Sequence, residues 1–271
     1  MKKLVSLLVL VLICSTTFGS LDTNWVKWTG GNGSWSTNSN WLRYDGAQVA
    51  PVYWNPVYIG AEATSGSNIT VTVAANTTIA TLKTYLGIST DPAASCILNV
   101  SSGSTYYNGY NTSGGAVGNT FFTAGSKAVV NTSGNIIGWG IDFNGANVTI
   151  NDGGMVQSKT AYWYVRNGAK VTLNEGGIFS ASNATAYGNN GISGVVDICG
   201  GTFQLSGNRV SNVNSYMASN FLTAYGDTDD SKLLVVYDSV NNLTKVTAVP
   251  EPATMILLGI GSLVMLPRRR K

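Results

Sequence analysis

A degenerate repeat in the middle of the chain sets the strongest limit on what the chain can fold into. Residues 148–154 read Val-Thr-Ile-Asn-Asp-Gly-Gly, and residues 171–177 read Val-Thr-Leu-Asn-Glu-Gly-Gly. Residues 128–134 fit the same pattern, and residues 196–201 fit it with one residue deleted. Each copy alternates apolar and polar residues and then reaches Asn or Gly, which tolerate a positive φ. Each copy therefore predicts a short strand with one buried face, followed by a tight turn.

The spacing of the copies predicts how they stack. From Asn131 to Asn151, Asn174 and Cys199 the steps are 20, 23 and 25 residues. Repeats of this length favour a right-handed parallel β-helix, a solenoid in which each repeat forms one rung about 4.8 Å above the last. The three Asn residues would then form a ladder of side-chain amides at one corner. The residues expected to point inward and to stack on one another are Val148 and Ile150, Val171 and Leu173, and Val196 and Ile198.

The composition agrees with an all-β chain. Charged residues make up 11% and hydrophobic residues 44%, with 32 Gly, whereas disordered chains combine low hydrophobicity with high net charge. A β-sandwich, which also has short strands and frequent turns, is the alternative fold. We expect no helix before the C-terminal tail. Residues 206–230 are predicted to be irregular, and residues 232–237 and 243–248 to form a β-hairpin that covers the end of the solenoid.

Tryptophan is concentrated near the start of the chain. The pattern of Trp28, Gly33, Trp35, Asn40 and Trp41 resembles the opening segment of autotransporter-associated β-strand repeats and related surface β-helix proteins. We interpret these Trp side chains as an aromatic cap over the first rung, whose core and strand edge would otherwise be open. A platform on which sugar rings stack is the alternative.

The first nineteen residues have the pattern of a secretory signal peptide. Lys2 and Lys3 form a positive start, and residues 4–14 form an apolar segment. Small residues before Ser20 predict cleavage between Gly19 and Ser20. The chain is therefore expected to use the Sec translocon and signal peptidase.

The last 22 residues consist of a Pro-Glu-Pro triplet, an apolar segment at 253–266 and a basic end. A helix of fourteen residues spans about 21 Å at 1.5 Å per residue. A bilayer core needs about 30 Å, so the predicted transmembrane helix suits a transient stay in the inner membrane. The basic end should stay on the cytoplasmic side. The residues expected to direct sorting and processing are Pro250, Glu251, Pro252, Arg268, Arg269 and Arg270.

This order of elements resembles the PEP-CTERM sorting signal of Gram-negative bacteria that produce exopolysaccharide. The resemblance implies recognition by an exosortase, cleavage at or near Pro-Glu-Pro, and delivery to the cell surface or the extracellular matrix. An ordinary C-terminal anchor is the alternative. The chain then divides into a signal peptide (1–19), a Trp-rich cap (20–68), a β-solenoid (69–206), an irregular segment with a terminal hairpin (207–249) and the sorting tail (250–271).

The charged residues exclude several functions. Of 16 basic residues six lie in the terminal signals, which leaves ten against twelve acidic residues between Ser20 and Val249. This segment lacks the basic excess of a nucleic-acid binder. No His occurs, which excludes Ser-His-Asp triads and His-ligated zinc within the chain. We expect no metal and no cofactor.

Parallel β-helices include polysaccharide lyases and hydrolases, which need clustered carboxylates. Asp152 and Glu175 occupy equivalent turns and are the best candidate pair, but solvated turn residues are the simpler interpretation. Asp142 and Asp197 are the other acids of the solenoid. We therefore expect a protein that is not an enzyme, with a structural or adhesive role in association with exopolysaccharide. A polysaccharide-active enzyme and a non-catalytic carbohydrate-binding module are the alternatives.

Two further sets of residues are candidates for function. Aromatic faces stack on sugar rings and Arg binds acidic sugars, so a sugar contact is predicted at Tyr162, Trp163, Tyr164 and Arg166. Alternation along a strand should turn at least one of these aromatic residues into the core. Cys96 and Cys199 could pair in an oxidising compartment, or could be two small buried residues.

Overall fold

The structure, a computed structural model, describes residues 24–61, 65–88, 90, 93–110, 112–116, 120–160, 162–182 and 192–249. In this part of the chain β-strands predominate, as the all-β prediction requires, and one α-helix of nine residues occurs. No described helix is long and apolar enough to cross a membrane. The predicted signal peptide with its Gly19–Ser20 cleavage site, the apolar helix at 253–266 and the sorting residues all lie outside the described residues.

The strands are short, mostly of three to six residues. In chain order the first twelve are β1 (Val26–Trp28), β2 (Gly33–Ser34), β3 (Trp41–Arg43), β4 (Pro56–Ile59), β5 (Asn68–Val73), β6 (Thr78–Thr81), β7 (Lys83–Leu86), β8 (Ser95–Val100), β9 (Thr105–Asn108), β10 (Phe121–Ala124), β11 (Ala128–Thr132) and β12 (Asn135–Gly138). The others are β13 (Gly140–Asn144), β14 (Asn147–Ile150), β15 (Met155–Ser158), β16 (Trp163–Arg166), β17 (Lys170–Asn174), β18 (Ile178–Ala181), β19 (Val195–Cys199), β20 (Thr202–Ser206), β21 (Leu222–Ala224), β22 (Leu233–Asp238) and β23 (Leu243–Ala248). The helix α1 (Val210–Ala218) lies between β20 and β21.

The strands form three sheets, which the chain visits in rotation. Sheet A has the order β16-β13-β10-β7-β4-β1-β3, sheet B the order β2-β5-β8-β11-β14-β17-β19-β21, and sheet C the order β22-β23-β20-β18-β15-β12-β9-β6. From β4 to β18 each strand of sheet A is followed by one of sheet B and one of sheet C. Among the described strands, pairing is parallel except for β1 with β3 and for β23 with β20 and β22. A β-sandwich is built from antiparallel sheets, so this pairing disfavours the alternative fold.

The apolar positions of the repeat point into one core between the three sheets. Val148 lies beside Val171 and Ile150 beside Leu173, and these two columns continue to Val196 and Ile198. All six side chains are at most 1% exposed, as the alternation of the sequence predicts. Gly153 and Gly176 follow two of these strands with φ of 72° and 74°, a conformation that glycine adopts without strain.

The predicted ladder of three Asn side chains is wrong in its register. Asn131 lies in the middle of sheet B, beside Asn99 and Thr149, and its Nδ2 donates to Asn99 Oδ1 at 3.0 Å. Asn174 Nδ2 donates to Asn151 Oδ1 at 2.8 Å, in a separate pair at the end of the strands. The copy of the repeat at residues 128–134 is therefore shifted by two residues from the alignment that the sequence predicts. A shift of two residues keeps every side chain on the same face, so apolar alternation alone does not reveal it.

Three of the tryptophans near the start of the chain belong to the core. Trp28, Trp35 and Trp41 are at most 3% exposed, so they do not offer an open platform for sugars. Trp41 meets Trp28 at 4.8 Å and Trp35 at 4.7 Å between ring centroids, and its Nε1 donates to the Trp35 carbonyl at 2.7 Å. These rings pack where sheets A and B begin, beside β3 at the edge of sheet A.

The C-terminal part of the described chain contains a helix where the sequence predicts none. Helix α1 buries Val213, Tyr216 and Met217, whose spacing places them on one helical face. Tyr216 meets Trp163 at 6.1 Å and Phe221 at 5.4 Å, and thus covers the core. Asn and Ser, which have low helix propensity, supply four of the other six residues of the helix and hide this pattern. Beyond it, β22 and β23 pair as an antiparallel hairpin, and β23 also pairs with β20.

Cys96 and Cys199 are not joined by a disulfide. Both lie in sheet B, but β8 and β19 are separated by three strands. Four strand spacings amount to about 19 Å, whereas disulfide-bonded residues have Cα atoms within about 7 Å. Cys96 is fully buried, which agrees with the alternative of a small apolar residue in the core.

Replacing an inward residue should cost far more stability than replacing its outward neighbour. We expect Leu173→Ala to lower the free energy of unfolding by about 2–5 kcal/mol, because it leaves a cavity in the stacked core. Thr172→Ala, on the outer face of the same strand, should cost less than about 1 kcal/mol. Urea unfolding of the two variants measures the difference, and equal losses would contradict the inward assignment.

Buried Tyr106 should make stability fall at high pH. Its hydroxyl lies 2.6 Å from Thr84 Oγ1, and burial raises the pKa of Tyr106 well above 10. The unfolded chain therefore ionises this group first, so its stabilising contribution is complete below about pH 10 and is lost as pH rises further. We expect Tyr106→Phe to show a smaller loss of stability than the native protein between pH 8 and pH 11. Tyr44→Phe, at an exposed position, serves as the control and should keep the native slope.

Candidate functional site

The outer face of sheet A carries a row of polar and aromatic side chains, one from each of six neighbouring strands. Strand register aligns these residues across the sheet. In order from β1 to β16 they are Lys27, Tyr58, Tyr85, Thr123, Asp142 and Tyr164. Beside this row lie Lys83, Phe121, Trp139, Tyr162 and Arg166, and we refer to the row and these five neighbours as the sheet A strip.

Because Gly140 has no side chain, the aromatic residues of the strip can contact one another. A Cβ atom on Gly140 would come within 2.6 Å of Phe121 Cε1, so the Phe121 ring lies in the space that Gly140 leaves open. From there the ring reaches across the sheet to Tyr164 at 5.7 Å and Tyr162 at 6.1 Å between centroids. Trp139 stacks on Tyr162 at 4.9 Å with an angle of 20° between the rings. The result is a continuous half-buried aromatic surface.

A second stacked pair lies further along the row. The Tyr58 and Tyr85 rings are 4.9 Å apart and 21° from parallel. Lys83 Nζ stands 5.0 Å from the centre of the Tyr85 ring, within the range of a cation–π contact. At the start of the row, Lys27 Nζ stands 4.4 Å from the centre of the Trp25 ring.

An ion pair fixes the far end of the strip. Arg166 donates from Nε to Asp142 Oδ1 at 2.9 Å and from Nη2 to Oδ2 at 2.8 Å. Its guanidinium also lies 5.1 Å from the centre of the Tyr164 ring. This two-point contact orients the guanidinium and leaves the N–H groups of Nη1 on the side away from the carboxylate.

The structure separates the four residues predicted to contact sugar. Trp163 is fully buried and packs against Phe203 and Tyr216, so it belongs to the core. Tyr162, Tyr164 and Arg166 lie on the outer face, as the alternation of β16 requires. No local sequence pattern predicts that Phe121, Trp139, Tyr58 and Tyr85 belong to the strip. Only the strand register brings them together, since they come from other turns of the chain.

Among the described residues, the carboxylates of the repeat region differ in their surroundings. Asp152 and Glu175 are exposed at successive turns, and Asp142 forms a salt bridge with Arg166. In the described part of the chain, no three His, Cys, Asp or Glu side chains are grouped as a metal site needs.

Asp197 borders a cavity of about 410 Å³ on the outer side of sheet B. Its Oδ1 accepts hydrogen bonds from Thr223 Oγ1 at 3.1 Å and from the Gly226 amide at 2.7 Å. Lys170 Nζ lies 3.9 Å from Oδ2. Burial and the Asp197 carboxylate raise the pKa of the nearby Cys199 thiol, which leaves the thiol a weak nucleophile at neutral pH.

The contact between Gly140 and Phe121 can be tested directly. We expect Gly140→Ala to displace the Phe121 ring and to lower the free energy of unfolding by about 1–3 kcal/mol, as overpacking does. The near-ultraviolet circular dichroism of the Trp139 and Tyr162 pair should change as well. Gly31→Ala is the matched control, because nothing lies within 4 Å of a Cβ atom there. An unchanged spectrum for Gly140→Ala would contradict the described packing.

Comparison with known proteins identifies one feature, at the end of the chain. Residues 248–271 match the PEP-CTERM protein-sorting motif. Neither the curated proteins nor the solved structures give a significant match. The match confirms the predicted sorting signal and begins at Ala248, the last residue of β23. The chain therefore carries the signal of an exported protein that is sorted through the membrane by an exosortase.

Proposed function

We propose that this protein is a structural or adhesive component of the cell surface or extracellular matrix, associated with exopolysaccharide. The observation that carries the proposal is the match of residues 248–271 to the PEP-CTERM sorting motif. The sorting signal is shared by proteins that an exosortase processes, so export and exosortase processing follow from it. The final location and the adhesive role are our inference.

The proposed route uses both ends of the chain. The signal peptide takes the chain to the Sec translocon, and signal peptidase cuts between Gly19 and Ser20. The apolar segment at 253–266 then pauses in the inner membrane, held by the basic residues 268–271 on the cytoplasmic side. Exosortase acts at or near Pro250, Glu251 and Pro252 and releases the folded part to the surface.

We further propose that the folded part is a right-handed parallel β-helix, closed by the tryptophans at one end and by α1 with the β22–β23 hairpin at the other. The rotation of the chain through sheets A, B and C supports this architecture. So does the core, which includes residues from all three sheets. A rod of this kind suits a structural role, because it holds its outer side chains in long regular rows.

A non-catalytic role is also part of the proposal. Among the described residues of the sheet A strip, Asp142 is the one acid, and it is paired with Arg166 rather than with a second carboxylate. A polysaccharide lyase or hydrolase would need a pair of carboxylates, or a metal with ligands. A polysaccharide-active enzyme is the competing function, and turnover of a polysaccharide by the purified protein would establish it.

Sorting is tested by replacing the triplet. We expect the variant with Pro250→Ala, Glu251→Ala and Pro252→Ala to keep its C-terminal tail and to stay in the inner membrane, because exosortase no longer finds its site. Intact mass and cell fractionation in the native host measure both effects. The native protein should lack both ends and appear at the surface or in the matrix.

Val240→Ala, at the exposed turn of the terminal hairpin, is the control and should be processed normally. Normal release of the triple variant would contradict processing by exosortase at the Pro-Glu-Pro triplet. A native protein that keeps its tail in the inner membrane would show that the tail is a permanent anchor.

A further inference from the structure

We propose that the cavity beside Asp197 binds a neutral sugar unit of a polysaccharide, with Tyr225 at its rim as the surface on which the sugar ring stacks. The cavity lies on the outer side of sheet B, where β17, β19 and β21 are neighbours. This inference rests on the proposed function, since it names a site and a class of sugar through which the protein would associate with exopolysaccharide.

The cavity has the size and the lining of a small-ligand site. Its volume is about 410 Å³, within the range of roughly 300–1,000 Å³ that is typical of ligand pockets. Six of the residues that line it have polar side chains, namely Lys170, Ser193, Asp197, Asn220, Thr223 and Thr228. Hydroxyl and amide groups both donate and accept hydrogen bonds, as the hydroxyl groups of a sugar do. A polyhydroxylated ring therefore matches this lining.

Asp197 supplies an oriented acceptor in the cavity. Its side chain is only 6% exposed, and its Oδ1 accepts hydrogen bonds from Thr223 Oγ1 at 3.1 Å and from the Gly226 amide at 2.7 Å. Lys170 Nζ stands 3.9 Å from Oδ2, which is beyond hydrogen-bond distance but close enough for one sugar hydroxyl to contact both groups. Because the carboxylate is already held in place, little side-chain freedom is lost when a ligand binds.

The charges of the cavity favour a neutral ligand. Among the described residues that line it, the charged ones are Lys170 and Asp197, and their charges cancel. A sugar hydroxyl can donate to the carboxylate and accept from the ammonium group. The carboxylate of an acidic sugar would instead be repelled by Asp197.

Tyr225 occupies a backbone position that tyrosine rarely adopts. Ala224 and Asp227 exchange two backbone hydrogen bonds, of 3.0 and 2.9 Å, around a turn of two residues. These are Tyr225, with φ of 53°, and Gly226, with φ of 75°, as in a type I′ turn, where Asn or Gly is the usual first residue. A bulky residue with positive φ is strained. Strain of this kind is concentrated at functional sites, including those that hold ligands.

Tyr225 also lies where a bound sugar can reach it. It stands between Thr223 and Gly226, both of which line the cavity, and it is 48% exposed. The hydrogen bond from the Gly226 amide ties this turn to the Asp197 carboxylate. A sugar that donates to Asp197 can therefore place the apolar face of its ring against the aromatic ring of Tyr225.

The test measures binding of maltose, lactose and mannobiose to the protein purified from its native cells, by isothermal titration calorimetry. Digalacturonate is the charged comparison. We expect the native protein to bind at least one of the three neutral disaccharides more tightly than digalacturonate. Tyr225→Asn should bind that disaccharide roughly tenfold more weakly, because the stacking surface is lost. The same variant should unfold at a higher urea concentration than the native protein, because Asn tolerates a positive φ.

A second variant tests the acceptor. Asp197→Asn keeps an oxygen that can accept from the Gly226 amide but replaces the other carboxylate oxygen by a donor, so we expect it to bind roughly tenfold more weakly as well. Tyr44→Asn is the matched control, because Tyr44 is 51% exposed and lies outside the lining of the cavity. It should keep native affinity and gain no stability.

Each result decides one part of the proposal. Failure of all three neutral disaccharides to bind, or tighter binding of digalacturonate, would overturn the neutral class. Native affinity of Tyr225→Asn or of Asp197→Asn would overturn the site. A loss of stability in Tyr225→Asn would show that the tyrosine serves the fold, against the argument from strain. The assay uses purified protein, so its failure is separate from a failure of the sorting proposal, which fractionation detects.

Discussion

The stacking of inward side chains on like side chains of the neighbouring strand decides the rest of this structure. Val148, Val171 and Val196 form one such column, and Ile150, Leu173 and Ile198 form the next. A strand that slipped by one residue would turn its polar side chains into the core, so burial on one face fixes the register. The outer face has the same register without the same restriction on residue type. Aromatic and charged residues on it are therefore aligned by a core to which they do not belong.

The sequence was sufficient where alternation and turn residues act together. The strands at 148–150 and 171–173, their buried faces and the turns after them follow from one pattern, and the structure has them as expected. Asn131 was misplaced because a shift of two residues leaves that pattern intact, and only the strand pairing of Asn131 with Asn99 and Thr149 distinguishes the two alignments. Helix α1 was missed because its buried face is short and its exposed face is rich in Asn and Ser.

The candidate site was predictable only in part, for the same physical reason. Tyr162, Tyr164 and Arg166 are close together in the sequence, and alternation correctly places Trp163 on the opposite face from them. Phe121 and Trp139 are brought beside these residues by the pairing of β10, β13 and β16, which no local sequence pattern predicts. The contribution of Gly140 is harder still to predict, since it acts through the side chain that it lacks.

The sorting motif follows the last strand without a spacer, and this has a mechanical consequence. Strand β23 ends at Ala248, and the amide of Val249 still donates to the Lys232 carbonyl at 2.8 Å. Any load on an attachment formed near Pro250 therefore reaches β23 at once. Because β23 is hydrogen-bonded to β20 on one side and to β22 on the other, tension along the strand must shear two ladders together. Tension directed across the strand would instead break the hydrogen bonds of these ladders one at a time. Strand β23 therefore resists tension best when the tension acts along the strand.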